Sequence, residues 1–517
     1  MAINKAIDGN QLDADLLSIA DAIRLKGGTL AELEFPDEFI AAINDIPQGG
    51  SGAVDHNDVN FYDYDGSIVA AYTAGEFAEL TNMPSNPSHD GLEAQGWNWN
   101  LANAKTYVSK YGKLNIGQMY ITDDRKTRIY VHMEKGRLHP YLGICPNGSV
   151  VVDWGDGSAT DTISGTSLSS VQVQDHVYAS SGDYVITLEV LSGSFRFNGS
   201  SNSGMAYILR KGNITTANVN TVYANCIKRV EIGANAIFGS SSFAYCNSLS
   251  SITIPAGATD NTGIGNYAFY CCRNLLSVTI PNGVRNIGTN VFGTCSGLLS
   301  VCIPDGVTSI GANAFSSCPS LSSLTIPEGI TTIAQNMVAY CYKLSSVIIP
   351  ETVGSIGTYG LSGCYNLSSV TIPNGVTSIG ISAFSNCTAL SSITIPEGVT
   401  SIGNSAFSYC HDLSSVTISE GVTSASIGQS TFNSCYGLPS ITIPDRVTSI
   451  GAGAFGDCYG VGEYHFKRTT PPTLANTSAF SNIQSECIIY VPQGSLEAYR
   501  TATNWSTYAS YMQEEAA

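Results

Sequence analysis

Cysteine is the residue whose spacing first raises a question of chemistry. Cys272, Cys295, Cys318, Cys341, Cys364, Cys387 and Cys410 follow one another at intervals of 23 residues. Cys246 leads the series at a gap of 26, and Cys435 and Cys458 close it at gaps of 25 and 23. Thiols in a row could cross-link, hold zinc or act as nucleophiles. Equivalent residues in successive stacked strands lie about 4.8 Å apart with parallel side chains. A disulfide needs Cβ atoms about 3.8 Å apart and converging, so stacked thiols are poorly placed to bridge. There is no Cys-x-x-Cys pair, and one histidine, His411, lies nearby, which disfavours zinc. The ten thiols are therefore expected to form a buried, reduced internal ladder. Cys271, beside ladder Cys272, is the thiol expected to be exposed.

No other residue pattern argues for catalysis. The seven histidines are scattered, with none at a ligand spacing. There is no nucleophile–base pair and no phosphate loop, so the expectation is a non-enzymatic protein with no cofactor and no metal. Asp153 and Asp156, in Val152-Asp-Trp154-Gly-Asp156-Gly157, have a catalytic or calcium role as one reading. The other is that they bond their own backbone in a turn. The formal charge of −18 disfavours nucleic acid, whose phosphates call for Lys and Arg. No run of 18 apolar residues is present, so no membrane insertion is expected. The first ten residues carry no apolar stretch, so no signal peptide is expected either.

A binding signal lies beside the cysteines. Of the twenty positions flanking the ten ladder cysteines, seven are tyrosine: Tyr245, Tyr340, Tyr342, Tyr365, Tyr409, Tyr436 and Tyr459. Uniform scattering of the 27 tyrosines would place about one there. In a stack of coils one repeat position becomes one line on the surface, so an aromatic stripe is expected, with Arg273, Lys343 and His411 alongside. Tyrosine gives rigid amphipathic contact area, which suits protein or glycan recognition. The bland reading is that tyrosine merely fills the coil edge. A second candidate face carries Thr279, Thr325, Thr371, Thr394, Thr417 and Thr442, a good β surface but a bland binder. Between 240 and 460 acidic residues outnumber basic ones nine to four, which disfavours an anionic partner.

The elements that position these residues are legible in one phrase, Leu390-Ser-Ser-Ile-Thr-Ile-Pro-Glu-Gly-Val-Thr-Ser-Ile-Gly-Asn-Ser-Ala-Phe-Ser-Tyr-Cys410. Alternation with period two puts Leu321, Leu324 and Ile326 inside and Ser323 and Thr325 outside. Pro327 ends the strand. Gly329 turns the chain, and Ile330 and Ile333 return it to the core. Ala314 and Phe315 are expected to make a short helical turn before Cys318. Burying five or six such side chains is worth on the order of 10 kcal/mol. Ordering 23 residues costs roughly 1–2 kcal/mol each, so a lone coil is unstable and must stack.

This pattern closely resembles the BspA-like, treponemal class of leucine-rich repeats over about 222–480. Met337-Val338 and Gly360-Leu361 stand in for Ala-Phe, Ser419 replaces the proline, and Pro255–Phe269 and Ala425-Ser426 carry insertions. The resemblance implies a right-handed solenoid, and residues 481–517 resemble that family's C-terminal closure, with a capping helix over about 494–515. Upstream, Trp154-Gly-Asp156-Gly, His176-Val-Tyr178 and Gly182-Asp-Tyr184-Val-Ile-Thr-Leu188 resemble a PKD-type immunoglobulin-like domain, implying a β-sandwich spacer over 126–215. Residues 13–24 and 36–44 carry helical spacing. With the Gly-rich linker 49–54, the helical anchor 1–48 resembles N-terminal segments of tail and fibre proteins of phages of gut Firmicutes. Residues 55–125, with Phe61-Tyr-Asp-Tyr-Asp65 and Gly96-Trp-Asn-Trp-Asn100, read as a small α+β docking domain.

The expected fold is thus mainly β and multidomain: a leucine-rich-repeat solenoid preceded by an Ig-like sandwich and a helical anchor. The function these resemblances imply is a phage virion adhesin, assembled in the host cytoplasm and released by lysis. It would meet other virion proteins through 1–125 and a host-surface protein or glycan through the solenoid. A structural virion decoration and a bacterial surface adhesin are the alternatives. Viral fibres are commonly trimeric homo-oligomers, but the chain shows no coiled-coil register.

Overall fold

The computed structural model describes residues 59–62, 68–85, 87, 92–97, 101, 104–105, 108–109, 114–122, 125–197, 224–233, 235–254, 263–420 and 426–516. The helical anchor and Gly-rich linker expected over 1–54 lie outside them. The chain divides into two compact units, Met1–Asp124 and Arg125–Ala517.

In the first unit, Val59–Tyr62 pairs antiparallel with Ile68–Tyr72 and parallel with Leu114–Thr122, which pairs in turn with Leu92–Trp97. One helix, Ala74–Glu79, starts at a capping box in which Thr73 and Glu76 satisfy each other's backbone N–H groups. Phe61 and Phe77 are fully buried with Val59, and Tyr72 meets Phe61 edge-on at 5.9 Å. Phe61 is thus a core residue. The side chains of Trp97 and its neighbours lie outside the described set.

The second unit begins as two sheets and continues as coils. Strands Thr127–Met133, Ser149–Asp153, Asp161–Ser164 and Gly182–Ser192 form one sheet, and Tyr141–Pro146, Gln172–Asp175 and Phe195–Phe197 the other. The sequence suggests a spacer that stops before the first coil, and the structure corrects this. Ile227–Glu231, a strand of the first coil, pairs antiparallel with Thr127–Met133, and Ser251–Thr253 extends the same sheet. Ala236–Phe238 pairs parallel with Phe195–Phe197. One hydrophobic core runs from Trp154 and Phe195 into Phe243, Cys246 and the rest of the ladder. The reason is elementary: an open solenoid end exposes unpaired strand edges and apolar side chains, and the upstream sheets cover both.

Most coils then contribute two short parallel strands, and isolated bridges at Ile264 and Ser369 take the place of a strand in two of them. Ser392–Ile395 lies in register on Ser415–Ile418, and a second ladder runs through Thr332–Ile333, Ser355–Ile356, Ser378–Ile379, Ser401–Ile402, Ser426–Ile427, Ser449–Ile450 and Thr473–Leu474. Isoleucine points in and serine out on both, as the alternation requires. The third side of the coil is not the helical turn expected at Ala314-Phe315. Asn313 and Ser317 have φ of 56° and 58°, and the N–H groups of Asn313, Phe315 and Ser317 donate to the Gln335, Met337 and Ala339 carbonyls of the next coil. Left-handed residues four apart, at Asn313 and Ser317, break the helical path, and these N–H groups run to the next coil instead.

That geometry stacks the phenylalanines and the thiols. Phe384, Phe407, Phe432, Phe455 and Phe480 lie face to face at 5.3, 5.4, 5.6 and 5.5 Å, all within 9° of parallel. Val338 and Leu361 fill the same fully buried position where the phrase departs from Ala-Phe. All fifteen cysteines are free. From Cys272 to Cys458 every ladder thiol donates to the carbonyl of the residue three before the preceding ladder cysteine, for example Cys410 Sγ to Phe384 O at 3.3 Å. Burial pushes these thiols up, Cys341 to about 12. Cys271, expected to be exposed, is buried, with Sγ 2.7 Å from Thr294 Oγ1.

The far end is closed by aromatics. Trp505 is buried against Phe466 and Tyr499, and its Nε1 donates to Pro472 O at 2.7 Å. Tyr499 and Tyr508 hydroxyls reach the Arg468 and Thr477 carbonyls. The single capping helix expected over 494–515 is replaced by helix Leu496–Thr501, a 3₁₀ segment Trp505–Tyr511 and a final strand Met512–Glu514 on Ile488–Val491. No helix among the described residues is long and apolar enough to cross a membrane.

Candidate functional site

The position after each ladder cysteine emerges from the core because the cysteine itself points in, and the position before it emerges in some coils but is buried at Cys271, Gly363 and Ser434. Tyr340, Tyr342, Tyr365, Tyr409, Tyr436 and Tyr459 are 41–51% exposed. Arg273 and Lys343 are exposed nearby, and His411 is half-buried. Tyr245 departs from the group: it is half-buried, edge-on to Tyr270 at 5.5 Å.

The residue after the cysteine and the residue before it behave differently. Those after it stack: Tyr342 on Tyr365 at 4.9 Å, and His411 on Tyr436 on Tyr459 at 4.6 and 5.7 Å. Those before it sit in the left-handed region, with φ of 64°, 62° and 61° at Tyr245, Tyr340 and Tyr409. Other coils place Asn386, Asp457 or Gly363 there, residues that accept this conformation at low cost, and others Cys271, Thr294, Ser317 or Ser434. A tyrosine pays roughly 1–2 kcal/mol for it. The Tyr340 ring lies over Gly363, where a Cβ would come within 2.8 Å of Cδ1.

Polar partners hold the stripe's last rung. Tyr459 donates to Asp457 Oδ1 at 3.1 Å, and Asn482 Nδ2 donates to the same oxygen at 2.7 Å. These bonds, the Asn482 one foremost, hold the Asp457 carboxyl below its ordinary range. His411 is also distinctive. His132, His139, His176 and His465 each face a carboxylate, at 2.6, 3.2, 2.8 and 3.1 Å. His411 has rings as its neighbours instead, and its Nε2 is buried with no hydrogen-bond partner among the described residues.

Several other polar groups among the described residues are bonded within the fold. Asp153 Oδ1 and Asp156 Oδ1 accept the N–H groups of Gly155 and Ser158 at 2.9 and 3.0 Å, the turn reading of these aspartates. Trp154 Nε1 donates to Asp161 at 2.7 Å, and His176 lies flat on the indole at 4.6 Å. No group of three or more His, Cys, Asp or Glu among the described residues could hold a metal ion. The second candidate face lies on several short sheets: Thr371, Thr394, Thr417 and Thr442 are exposed, and Thr279 and Thr325 half-buried.

Sequence reasoning found the tyrosines by their excess but missed Thr388, Asp457, Asn433 and Asn482, which line or brace the stripe. Asn433 and Asn482 could have been found, since both fall near equivalent coil positions to Asp457. Tyr359 and Ile381, 39% and 48% exposed, form a separate apolar spot five or six residues before the cysteine position.

The BspA type leucine rich repeat region model matches the chain in six copies that together run through residues 193–486, more than half of its length. The chain belongs to the BspA-type leucine-rich repeat family. No curated protein sequence matches this BspA-type chain significantly. Among solved structures it is similar to a leucine-rich repeat protein from Bacteroides ovatus, at 22% identity over 62% of this chain and 98% of that one, with a TM-score of 0.35. A leucine rich cell surface protein from Faecalibacterium prausnitzii A2-165 is 24% identical over 61% of this chain and 92% of that one, with a TM-score of 0.29. The pneumococcal vaccine antigen PcpA is 17% identical over 56% and 80%, with a TM-score of 0.39.

Proposed function

We propose that this BspA-type protein is a non-enzymatic adhesin whose tyrosine stripe contacts a host-surface protein or glycan. The observation that carries this reading is tyrosine held at positive φ, with its ring 41% and 45% exposed, at Tyr340 and Tyr409. A coil-edge filler gains nothing from that backbone cost, since Asn or Gly serves the turn better. A structural decoration protein has no use for it either.

The carrier is a separate matter. Family membership supports presentation on a bacterial surface. The resemblance of 1–48 to phage tail and fibre segments supports a virion, with the PKD-like sheets between anchor and solenoid and residues 1–125 meeting other virion proteins. We take the virion as the finer reading. Detecting the protein in purified phage particles bears it out, and finding it only on envelopes of phage-free cells replaces it with the surface-adhesin reading.

Adhesion is tested on residues 125–517, because cutting at 222 would strip Thr127–Met133 from Ile227–Glu231 and open the core. Saturable adsorption of 125–517 to particular strains of intact bacteria is expected. No adsorption across a broad strain panel would leave the decoration reading in its place.

A further inference from the structure

The row of rings on the stripe is interrupted at one coil. Tyr342 and Tyr365 make one run, within 3° of parallel, and His411, Tyr436 and Tyr459 make another. Between them the residue after the ladder cysteine is Thr388. Rings inside a run cover one another's faces and show solvent their edges, so they cannot lie flat on a ligand. Tyr365 and His411 each turn one face away from their own run, toward the coil of Thr388. Coils stack in register at the strand spacing, so these two faces are separated by two spacings, about 10 Å.

Thr388 makes the floor. It is half-buried, and its Oγ1 donates to the Tyr365 carbonyl at 3.1 Å. The Asp412 N–H donates to the Thr388 carbonyl at 3.0 Å, which ties the three coils together beneath the gap. Beside the gap in sequence lie Asn366 and Asp412, exposed, and Ala389, half-buried; Asn386, on the other side of Cys387, donates its Nδ2 to Ser385 Oγ at 3.0 Å.

The geometry points to a slot between Tyr365 and His411, floored by Thr388, that takes one neutral pyranose ring of a surface glycan. This rests on the reading of the stripe as the adhesive surface and states what that surface holds. The width corresponds to two ring-to-ring distances, so one ring inserts as the missing rung. A pyranose presents weakly positive C–H bonds on both faces, which suit the negative faces of the aromatic walls. Its hydroxyls need amide and carboxylate partners, and the exposed Asn366 and Asp412 beside the gap supply them. A peptide aromatic would instead bring apolar neighbours to a gap with one small apolar side chain, Ala389, beside it. Asp412 beside the gap and the acidic excess of the coils select against an acidic sugar.

The test uses the full chain on an array of immobilised gluco-, galacto- and manno-configured neutral oligosaccharides, with uronic-acid and sialylated ones alongside. Thr388→Tyr installs the absent ring, and the coils already carry tyrosine at the equivalent positions 342, 365, 436 and 459. Wild type and Thr388→Ser are expected to bind neutral glycans, and Thr388→Tyr to bind at least tenfold more weakly with an unchanged melting temperature. Tyr365→Ala, which removes one wall, is expected to lose as much and serves if Thr388→Tyr misfolds. Undiminished binding by Thr388→Tyr or Tyr365→Ala, binding confined to acidic glycans, or no glycan signal from wild type overturns the proposal. If wild type still adsorbs to bacteria under any of those outcomes, the slot is wrong and the adhesive stripe stands. If it does not adsorb, both fall.

Discussion

Two ladders run side by side through every coil, one residue apart in sequence, and they obey opposite rules. The inner one, of phenylalanine and cysteine, is dry and nearly invariant from Phe384 to Phe455, because each ring and each thiol is completed by the coil before it. The outer one varies from coil to coil: Arg273, Ser296, Pro319, Tyr342, Tyr365, Thr388, His411, Tyr436, Tyr459. Stacking constrains the first through burial and hydrogen bonding and leaves the second free. Variation in the outer ladder is therefore where a coil can be specialised without being unfolded.

The thiols offer the largest way to break that contrast. Burial raises each of the ten ladder thiols above the ordinary value near 9, Cys341 and Cys458 to about 12. Between those limits the folded chain keeps protons that the unfolded chain releases, so stability falls as pH rises. The stabilisation is fully present below pH 9 and erodes above it as the unfolded chain's thiols ionise while the buried ones stay protonated. Urea midpoints measured from pH 7 to 10.5 are expected to be flat and then to drop steeply. A midpoint independent of pH throughout would show that the sulfurs are not buried as thiols.

Single inner rungs come next. Phe407→Ala removes a fully buried ring stacked on both sides and is expected to cost about 3–5 kcal/mol in chemical denaturation. Cys410→Ala leaves the Phe384 carbonyl without its sulfhydryl donor and opens a small void, at about 1–3 kcal/mol. Cys410→Ser keeps a donor, and recovery of part of that loss would show that the hydrogen bond matters as well as the volume.

Much of this was legible because a period converts sequence directly into space. The thiol ladder, the inward Leu321, Leu324 and Ile326, and the excess of tyrosine at two positions all follow from counting. What escaped depends on conformation within the coil. Ala314-Phe315 reads as a helical turn, since the positive φ at Asn313 and Ser317 leaves no composition signal beyond scattered Asn, Ser and Gly. Cys271 reads as exposed because its neighbour faces in, yet its own left-handed backbone carries the sulfur to Thr294. The join between Thr127–Met133 and Ile227–Glu231 spans about a hundred residues of sequence and has no periodic mark. Ring stacking, and with it the gap at Thr388, depends on side-chain orientation that spacing alone does not supply.

The outer ladder gives the smallest effect on stability and the most direct test of the whole account. Tyr340→Asn, Tyr342→Ala and Tyr365→Ala combined remove three exposed rings, and asparagine suits the positive φ at 340. Thermal midpoint and adsorption to a susceptible strain are to be measured on the same preparation. The expected result is a stability change of about 1 kcal/mol or less with adsorption reduced at least tenfold. Full adsorption by this variant, with its coils intact, would contradict the claim that the tyrosine stripe is the binding surface.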